Sequence, residues 1–308
     1  MNCIELNNIT KTFTGKLAVD RLSLSIPNGS IYGFIGPNGS GKTTTLRMML
    51  NIIYPDSGSI SIFGESYRKS HRSRIGYLPE ERGIYKKMKV GEMIRYFGDI
   101  KGRTIPTSRV KDWLERFELG DTYHKKVESL SKGMSQKVQF ISTIIAEPEL
   151  LILDEPFSGL DPVNTETMRS TLIELQRAGS TIVFSTHDMN TAERMCDRIF
   201  MIFEGKKVLD GTLQGIQNQY GSDTLRVRLN GTPSALDSLE GVSHVTDFGQ
   251  EQELRLGASA DPQRILRQLL DQPGIHVQRF EVVQPSLHDI FVRIAGPRAT
   301  ESSAAATA

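Results

Sequence analysis

The stretch Gly36-Pro-Asn-Gly-Ser-Gly-Lys-Thr-Thr44 decides the fold, because it matches the pattern G-x-x-x-x-G-K-[ST]. A β-rich run, Ile31–Ile35, precedes it, and a helical pattern over Thr44–Ile52 follows it. Glycines let consecutive backbone N–H groups turn toward an anion without Cβ clashes, and the N-terminus of the helix adds its dipole. The stretch therefore predicts a phosphate-binding loop between a strand and a helix.

The side chains of this loop predict a nucleotide with a divalent ion. The Lys42 ammonium can reach the β- and γ-phosphates, and the Thr43 hydroxyl can ligate Mg²⁺. A glycine-rich turn that arises by chance is the alternative, and a chance match in a chain of this length is about 1 in 100 at average composition. The residues predicted to hold ATP are Gly36, Pro37, Asn38, Gly39, Ser40, Gly41, Lys42, Thr43 and Thr44.

Outward from the loop, short β-rich runs alternate with helical patterns over residues 1–220, which predicts an α/β domain. Apolar runs such as Leu150–Leu153 and Thr181–Ser185 indicate central strands that are covered on both faces. Three amphipathic stretches lie between the strands: Val90–Phe97, Val110–Leu119 and Met134–Ala146. Together these stretches predict a helical insert at about residues 85–146.

Two acids end the apolar run that begins at Leu150, and the carboxyl ends of parallel strands are where such sheets bind ligands. Asp154 is predicted to hold Mg²⁺, directly or through water. Glu155, the next residue, is expected to point the other way from the strand. It is predicted to polarise the water that attacks the γ-phosphate. A solvated turn after a core strand is the plainer interpretation of the pair.

Composition excludes several classes of protein. The chain has 308 residues, with 37 Lys plus Arg against 36 Asp plus Glu, so its net charge of +1 gives no support for non-specific binding to nucleic acid or to membrane surfaces. The apolar runs fall short of the ~20 residues of a membrane span, and no secretory leader opens the chain. Cys3 and Cys196 make neither a disulfide framework nor a metal-ligand spacing.

The pattern changes after Tyr220, and residues 221–296 are predicted to form a small separate α+β domain. The segment that begins at Pro285 places Leu287, Ile290, Phe291 and Ile294 on one helical face. Ser286 and Asp289 fit an N-terminal capping box for this helix. Residues 297–308 lack periodicity, which predicts a disordered tail.

Further segments resemble the ATP-binding subunit of an ABC transporter. Leu130-Ser-Lys-Gly-Met134 is similar to the signature motif, Ser158-Gly-Leu-Asp161 resembles the D-loop, and Ser185-Thr-His187 supplies the switch histidine. Phe13 sits where the family stacks an aromatic ring on adenine. With the phosphate loop and the acid pair, these segments occur in the family's order over about residues 2–220. The resemblance implies a P-loop NTPase core of ABC-cassette type with a helical subdomain, and an ATP hydrolase that uses ATP and Mg²⁺.

The resemblance also assigns roles to these residues. Ser131 and Gly133, at the start of a helix, would face the γ-phosphate held by another copy of the domain, and Asp161 would belong to the same composite site. His187 would hydrogen-bond the γ-phosphate and join Lys42 and Glu155 as a catalytic group. The plainer interpretations are a helix N-cap for Ser131, a satisfied turn histidine for His187 and a core residue for Phe13.

The chain departs from the family pattern at two places. Glu80 stands where the family carries a glutamine; its carboxylate can ligate Mg²⁺ but adds negative charge near the phosphates. In the signature, Lys132 replaces a glycine and Met134 replaces a glutamine. Ser131 and Gly133 remain, so the phosphate contact is expected to survive.

The partners follow from the resemblance and from the count of motifs. One chain carries one phosphate loop and one signature, so two copies in a head-to-tail homodimer complete two sites. Without a membrane span, the chain is expected to work with a transmembrane permease subunit, peripherally at the cytoplasmic face of the cell membrane. It would dock through residues 85–125. The segments Pro79–Gly83 and Pro285–Phe291 are similar to a branch of ABC-2 type exporters, which includes sodium-efflux and multidrug exporters with a small C-terminal domain.

Two other functions remain open at this point. A soluble ABC-type ATPase acting on the ribosome or on nucleic acid is the main alternative. The neutral charge and the absence of an internal repeat or of long heptads count against it, and no nucleic-acid partner is expected. A nucleotide-binding regulator without useful hydrolysis is the other alternative. The set of Lys42, Asp154, Glu155 and His187 argues against that function.

Overall fold

The computed structural model describes residues 1–81, 83–220, 224–230, 236–257, 260–272 and 274–296. Within them the chain divides into two compact units, residues 1–212 and a second unit that begins at Leu213. No helix in this described part is both long and apolar enough to span a membrane.

A six-stranded sheet forms the centre of the first unit, in the order β10-β9-β3-β8-β7-β6. The strands are β3 (Ile31–Ile35), β6 (Ile75–Leu78), β7 (Leu150–Asp154), β8 (Thr181–Thr186), β9 (Arg198–Phe203) and β10 (Lys206–Gly211). All pairings are parallel except that of β9 with β10. Every residue of β3, β7 and β8 is buried, which confirms that the apolar runs are central strands covered on both faces.

A second, antiparallel sheet lies in the same unit, in the order β2-β1-β4-β5. Its strands are β1 (Asn2–Phe13), β2 (Lys16–Pro27), β4 (Ser57–Ile62) and β5 (Glu65–Ser66). The alternation rule does not reveal β1 and β2, because several register shifts interrupt their pairing and break the period of two. Their buried side chains, among them Ile4 and Leu6, join Tyr32 and Phe34 of β3 in one hydrophobic core.

Helices complete the first unit and include the predicted insert. They are α1 (Lys42–Met49), α2 (Val90–Asp99), α3 (Thr107–Arg116), α4 (Lys132–Ile144), α5 (Pro162–Arg177) and α6 (Met189–Met195). The buried residues Met93, Leu114 and Phe140 of α2, α3 and α4 share a core with Leu151 and Leu153 of β7. The insert helices therefore share one hydrophobic core with the strand that ends in Asp154.

The second unit contains α7 (Leu213–Tyr220) and a four-stranded antiparallel sheet in the order β12-β13-β11-β14. Its other elements are β11 (Thr224–Asn230), β12 (Val242–Asp247), β13 (Gln252–Leu256), α8 (Pro262–Leu270), β14 (His276–Val283) and α9 (Leu287–Ala295). Ile265 and Leu269 of α8 pack with Val227 and Leu254 of the sheet in a small core.

Helix α9 confirms the capping box, since Asp289 N donates to Ser286 Oγ at 3.1 Å and Ser286 N donates to Asp289 Oδ2 at 3.0 Å. Leu287, Ile290 and Phe291 are buried as the helical pattern predicts. Ile294 is 39% exposed, so its place on the buried face was wrong; it lies in the last turn, beyond the packed part of the helix. The predicted tail, residues 297–308, falls outside the described residues.

Candidate nucleotide-binding site

The phosphate loop follows β3 and leads into α1, which begins at Lys42. A Cβ on Gly36 would lie 2.2 Å from the carbonyl oxygen of Ile202 in β9. Gly41 has a φ of +109°, and a Cβ there would lie 2.5 Å from the carbonyl oxygen of Ala18 in β2. These two glycines are needed because two neighbouring backbones press against the loop, and the first of these backbones belongs to the central sheet.

Lys42 is folded back into its own loop and is 6% exposed. Its Nζ donates to the carbonyl oxygens of Gly36 at 2.7 Å and Pro37 at 3.1 Å, and it lies 3.6 Å from Glu155 Oε1. Burial lowers the pKa of this ammonium, and the charges of Glu155 and Asp154 act in the opposite direction. The loop thus holds a cation whose neutralising partner is a carboxylate just after β7, the second strand along the sheet from β3.

Asp154, the last residue of β7, is 1% exposed and faces the start of α1. Its Oδ1 accepts hydrogen bonds from Ser185 Oγ at 2.5 Å and from Thr43 Oγ1 at 3.2 Å. Its Oδ2 is buried and has no hydrogen-bond partner among the described residues. A buried carboxylate oxygen without a donor, next to a threonine hydroxyl, fits a hard divalent cation such as Mg²⁺.

The protein side of such an ion site is incomplete by itself. Within the described ranges, no group of three or more His, Cys, Asp or Glu side chains is arranged to hold a metal ion. Mg²⁺ commonly takes one or two carboxylates and completes its shell with water and substrate phosphates. The residues around Asp154 therefore fit an ion that arrives with a nucleotide.

Glu155 does not point away from Asp154, so that prediction was wrong. The strand ends at Asp154, and Glu155 adopts a φ of +48°, in the left-handed region, where the alternation of a strand no longer applies. Its Oε1 lies 3.0 Å from His187 Nδ1 and 3.6 Å from Lys42 Nζ. Both carboxylates consequently face the phosphate loop.

His187 lies in the turn between β8 and α6, as its sequence context predicts. Its side chain is 56% exposed while its partner Glu155 is buried. His187 therefore contacts the buried Glu155 carboxylate through Nδ1. The rest of the imidazole ring is exposed.

Glu80 follows β6 and borders two cavities. One, of about 380 Å³, is lined by the phosphate loop together with Lys16, Ala18 and Glu155. The other, of about 200 Å³, is lined by Glu80, Asp154 and Glu155 together with residues of α4. Glu80 is exposed on its outer side, but partial desolvation at the cavity edge, followed by the charges of Asp154 and Glu155, raises its pKa. The glutamate at this position does crowd the site with negative charge, as its sequence position predicts.

The signature and D-loop residues form a separate set. Ser131 is the N-cap of α4 and accepts a hydrogen bond from Met134 N at 3.3 Å, while Asp161 caps α5 and accepts from Asn164 N at 2.9 Å. Ser131 is exposed, and a Cβ on Gly133 would meet no atom within 4 Å. The N-cap interpretation of Ser131 is thus confirmed, and the open space around Gly133 leaves room for a ligand from outside the chain.

Phe13 ends β1 and is 44% exposed, so it is not a core residue. Its ring centroid lies 5.5 Å from Lys11 Nζ. Phe13 pairs with Lys16, which lines the phosphate-loop cavity. The β1–β2 hairpin therefore carries an aromatic ring beside the loop.

Sequence patterns did not identify two residues that organise the acid pair. Ser185 Oγ accepts from Glu155 N at 3.0 Å and donates to Asp154, so one hydroxyl holds both acids. Gln136 Nε2 donates to Pro156 O at 2.8 Å. Ser185 lies one residue before the end of β8, and only the pairing of that strand with β7, which sets Asp154 opposite Ser185, reveals its role.

Comparisons with known proteins agree with this geometry. Residues 19–158 match the family model described as ABC transporter, and residues 211–295 match the model described as ATP-binding protein DrrA1-3-like, C-terminal domain. The chain is 40% identical over 295 residues to the uncharacterized ABC transporter ATP-binding protein YhaQ of Bacillus subtilis (strain 168), covering 95% of this chain and 98% of that protein.

Two further similarities are informative. The chain is 34% identical over 300 residues to the Nod factor export ATP-binding protein I of Burkholderia orbicola (strain AU 1054), covering 95% of this chain and 97% of that protein. A solved structure of the ATP-binding subunit of an ABC transporter superposes with a TM-score of 0.65 and 30% identity, over 71% of this chain and 93% of that one. The chain belongs to the ATP-binding proteins of ABC transporters, with the fold of the ABC cassette and the activity of an ATP hydrolase.

Proposed function

We propose that this chain is the ATP-hydrolysing subunit of an ABC exporter, acting with Mg²⁺ as a head-to-tail homodimer on a separate transmembrane permease. One observation carries the proposal: the predicted nucleotide-binding residues fall into a buried set and an exposed set. Lys42, Asp154 and Glu155 contact one another inside the chain, whereas Ser131 is exposed at a helix start. An exposed helix N-terminus with open space beside it suits an anion from another molecule.

The buried set suits phosphate binding and an ion. The loop from Gly36 to Thr44 would hold the phosphates through its backbone N–H groups and Lys42. Thr43, Asp154 and Glu80 would hold Mg²⁺, which when bound neutralises charge on the phosphate oxygens. Phe13 would stack on adenine, since its exposed ring is attached to the hairpin that borders the loop cavity.

Glu155 suits the general base. A phosphate that draws the Lys42 ammonium leaves the Glu155 carboxylate with His187, at 3.0 Å, as its remaining close partner. Water would then attack the γ-phosphorus as the bond to the ADP oxygen breaks, and Glu155 would accept the proton of that water. His187 would orient Glu155 and contact the γ-phosphate from its half-open position. Lys42 would stabilise the charge on the phosphoryl group.

The exporter assignment draws on the relatives, one of which is named for Nod factor export. Residues 85–125 would dock on the permease at the cytoplasmic face of the membrane, where the chain would be peripheral. Tyr85, Tyr96 and Ile100 support this surface, because all three are large side chains left exposed in or beside α2. Residues 221–296 would form an accessory domain that tunes dimerisation or contacts the permease.

The homodimer is tested with a chain that binds ATP but turns over slowly. Glu155→Gln should sediment as a monomer with ADP and as a dimer with ATP and Mg²⁺. Adding Ser131→Arg to that chain should abolish the dimer without changing ATP affinity, because the arginine fills the exposed phosphate contact of the partner site. The matched control adds Ser73→Arg, an exposed serine just before the amino end of β6, and should dimerise normally. A Glu155→Gln chain that binds ATP and stays monomeric at high concentration contradicts the proposal.

A further inference from the structure

Gln136 is a buried polar residue in the second turn of α4 that the ATP-binding motifs do not include. It is 8% exposed, and its Nε2 donates to Pro156 O at 2.8 Å. A carbonyl oxygen only accepts hydrogen bonds, so this contact fixes the orientation of the amide, with nitrogen toward Pro156 and Oε1 away from it. The amide nitrogen of Gln136 therefore has a hydrogen-bond partner, Pro156 O, whereas its oxygen Oε1 points away from that partner.

The donor holds a strained turn. Glu155 has a φ of +48°, and a residue other than glycine in the left-handed region costs about 1–2 kcal/mol. Glu155 N donates to Ser185 Oγ at 3.0 Å on the β8 side, and Ser158 N closes the turn by donating to Glu155 O at 3.2 Å. Gln136 holds the next residue, Pro156, from the α4 side. Hydrogen bonds from β8 and from α4 thus both hold the turn that orients the Glu155 carboxylate.

Gln136 also borders the cavity beside the acid pair. Gln136 Oε1 is buried and has no hydrogen-bond partner in the part of the chain that the structure describes. Gln136 lines the cavity of about 200 Å³ together with Glu80, Gln139 and Glu155. A water molecule occupies about 30 Å³ of liquid volume, so several water molecules fit in this polar space beside Gln136 and Glu155.

We propose that Gln136 is a positioning residue for ATP hydrolysis, which holds the Glu155 turn through Nε2. The proposal rests on the proposed role of Glu155 as general base. Ser131 begins the same helix five residues earlier, so occupation of the signature end of α4 and the aim of Glu155 are linked through one rigid element in the same chain.

Two variants remove the donor to Pro156 O by different chemistry. Gln136→Met removes donor and acceptor at similar volume, and Gln136→Glu keeps an acceptor but removes the donor to Pro156 O. Since a displacement of about 1 Å can cost 10²-fold in rate, both variants should lower kcat by about 10- to 100-fold. ATP affinity and the number of ATP molecules bound per chain should stay at parental values, because the loop residues are untouched. A chain that merely misfolds would instead lose binding sites. Gln139→Met is the matched control: Gln139 is equally buried in α4 and lines the same cavity.

Amide hydrogen exchange without nucleotide provides a readout independent of turnover. The Ser158 amide should exchange faster in Gln136→Met and Gln136→Glu than in the parent and in Gln139→Met. Parental turnover with parental exchange, or equal losses in Gln139→Met, would overturn the proposal. If Glu155→Gln keeps parental turnover, the proposed role of Glu155 fails, and the exchange rate still decides whether Gln136 holds the turn.

Discussion

The predicted nucleotide site has two halves, which differ in burial. The inner half consists of Lys42, Asp154 and Glu155, and the outer half consists of Ser131 and Asp161. Lys42, Asp154 and Glu155 are buried; Lys42 pairs with Glu155, and Ser185 and His187 hydrogen-bond to the two acids. Ser131 of the signature and Asp161 of the D-loop are exposed, and their side chains bond to the first turns of their own helices. One half is therefore formed within a single chain, whereas the other half leaves polar groups at helix N-termini accessible to another molecule.

This contrast has an energetic side. A buried ion pair that loses one partner leaves an uncompensated charge, which is strongly destabilising. Exposed polar groups are solvated and carry little of the folding free energy unless they cap a helix. Substitutions in the inner half should therefore change both the free energy of unfolding and the rate of hydrolysis. Substitutions in the outer half should change mainly the formation of the homodimer.

The largest expected effect is that of Glu155→Gln on turnover. A positioned general base contributes about 10²- to 10⁴-fold, so phosphate release should fall by that factor while ATP affinity stays within a few fold. Glu149→Gln is the control, because Glu149 is a carboxylate at the opposite end of β7 that pairs with Arg74 at the surface. Parental turnover in Glu155→Gln would show that the inner half does not carry the chemistry.

An intermediate effect compares two serines, one from each half. Ser185→Ala should lower the free energy of unfolding by about 1–3 kcal/mol, because the buried Glu155 N–H and Asp154 Oδ1 each lose a partner. Ser131→Ala should cost about 1 kcal/mol, the ordinary value of a helix N-cap. Urea unfolding of both variants measures the difference. A larger loss of unfolding free energy in Ser131→Ala than in Ser185→Ala would contradict the proposed difference between the inner and outer halves.

The smallest expected effect concerns pH and Glu80. Burial and the neighbouring acids raise the pKa of Glu80 above its ordinary value of 4.5, so the folded chain holds this proton more tightly than the unfolded chain. That stabilisation is present below pH 4.5 and is lost as pH rises through the raised pKa of the folded state. In metal-free buffer, Glu80→Gln should therefore gain stability over the parent as pH rises toward neutrality.

The outcome of that titration is informative in either direction. Measurement of the free energy of unfolding of both chains across the range gives the difference directly. A constant difference would mean that Glu80 is solvated and outside the inner half. Glu81→Gln is the control, since Glu81 is exposed like Glu80 but lines neither of the two cavities beside the acid pair.

Local patterns were sufficient for the elements that follow one period. The strand, loop and helix around Lys42, the apolar strands β7 and β8, and the capping box of α9 are all confirmed. Each depends on residues within a few positions of one another. The N-terminal hairpin was not predicted, because bulges break its alternation, and Ile294 was misplaced because a helical stripe does not reveal where its partner surface ends.

The sequence by itself determined the family, the ATPase activity and the order of its motifs, because each motif is a short run whose chemistry is local. Only the tertiary structure decided how the acids are aimed. The left-handed turn at Glu155 breaks the strand period, Ser185 reaches Asp154 across 31 positions, and Gln136 reaches Pro156 across 20. Contacts over such separations form when strands and helices pack, and no local pattern encodes them.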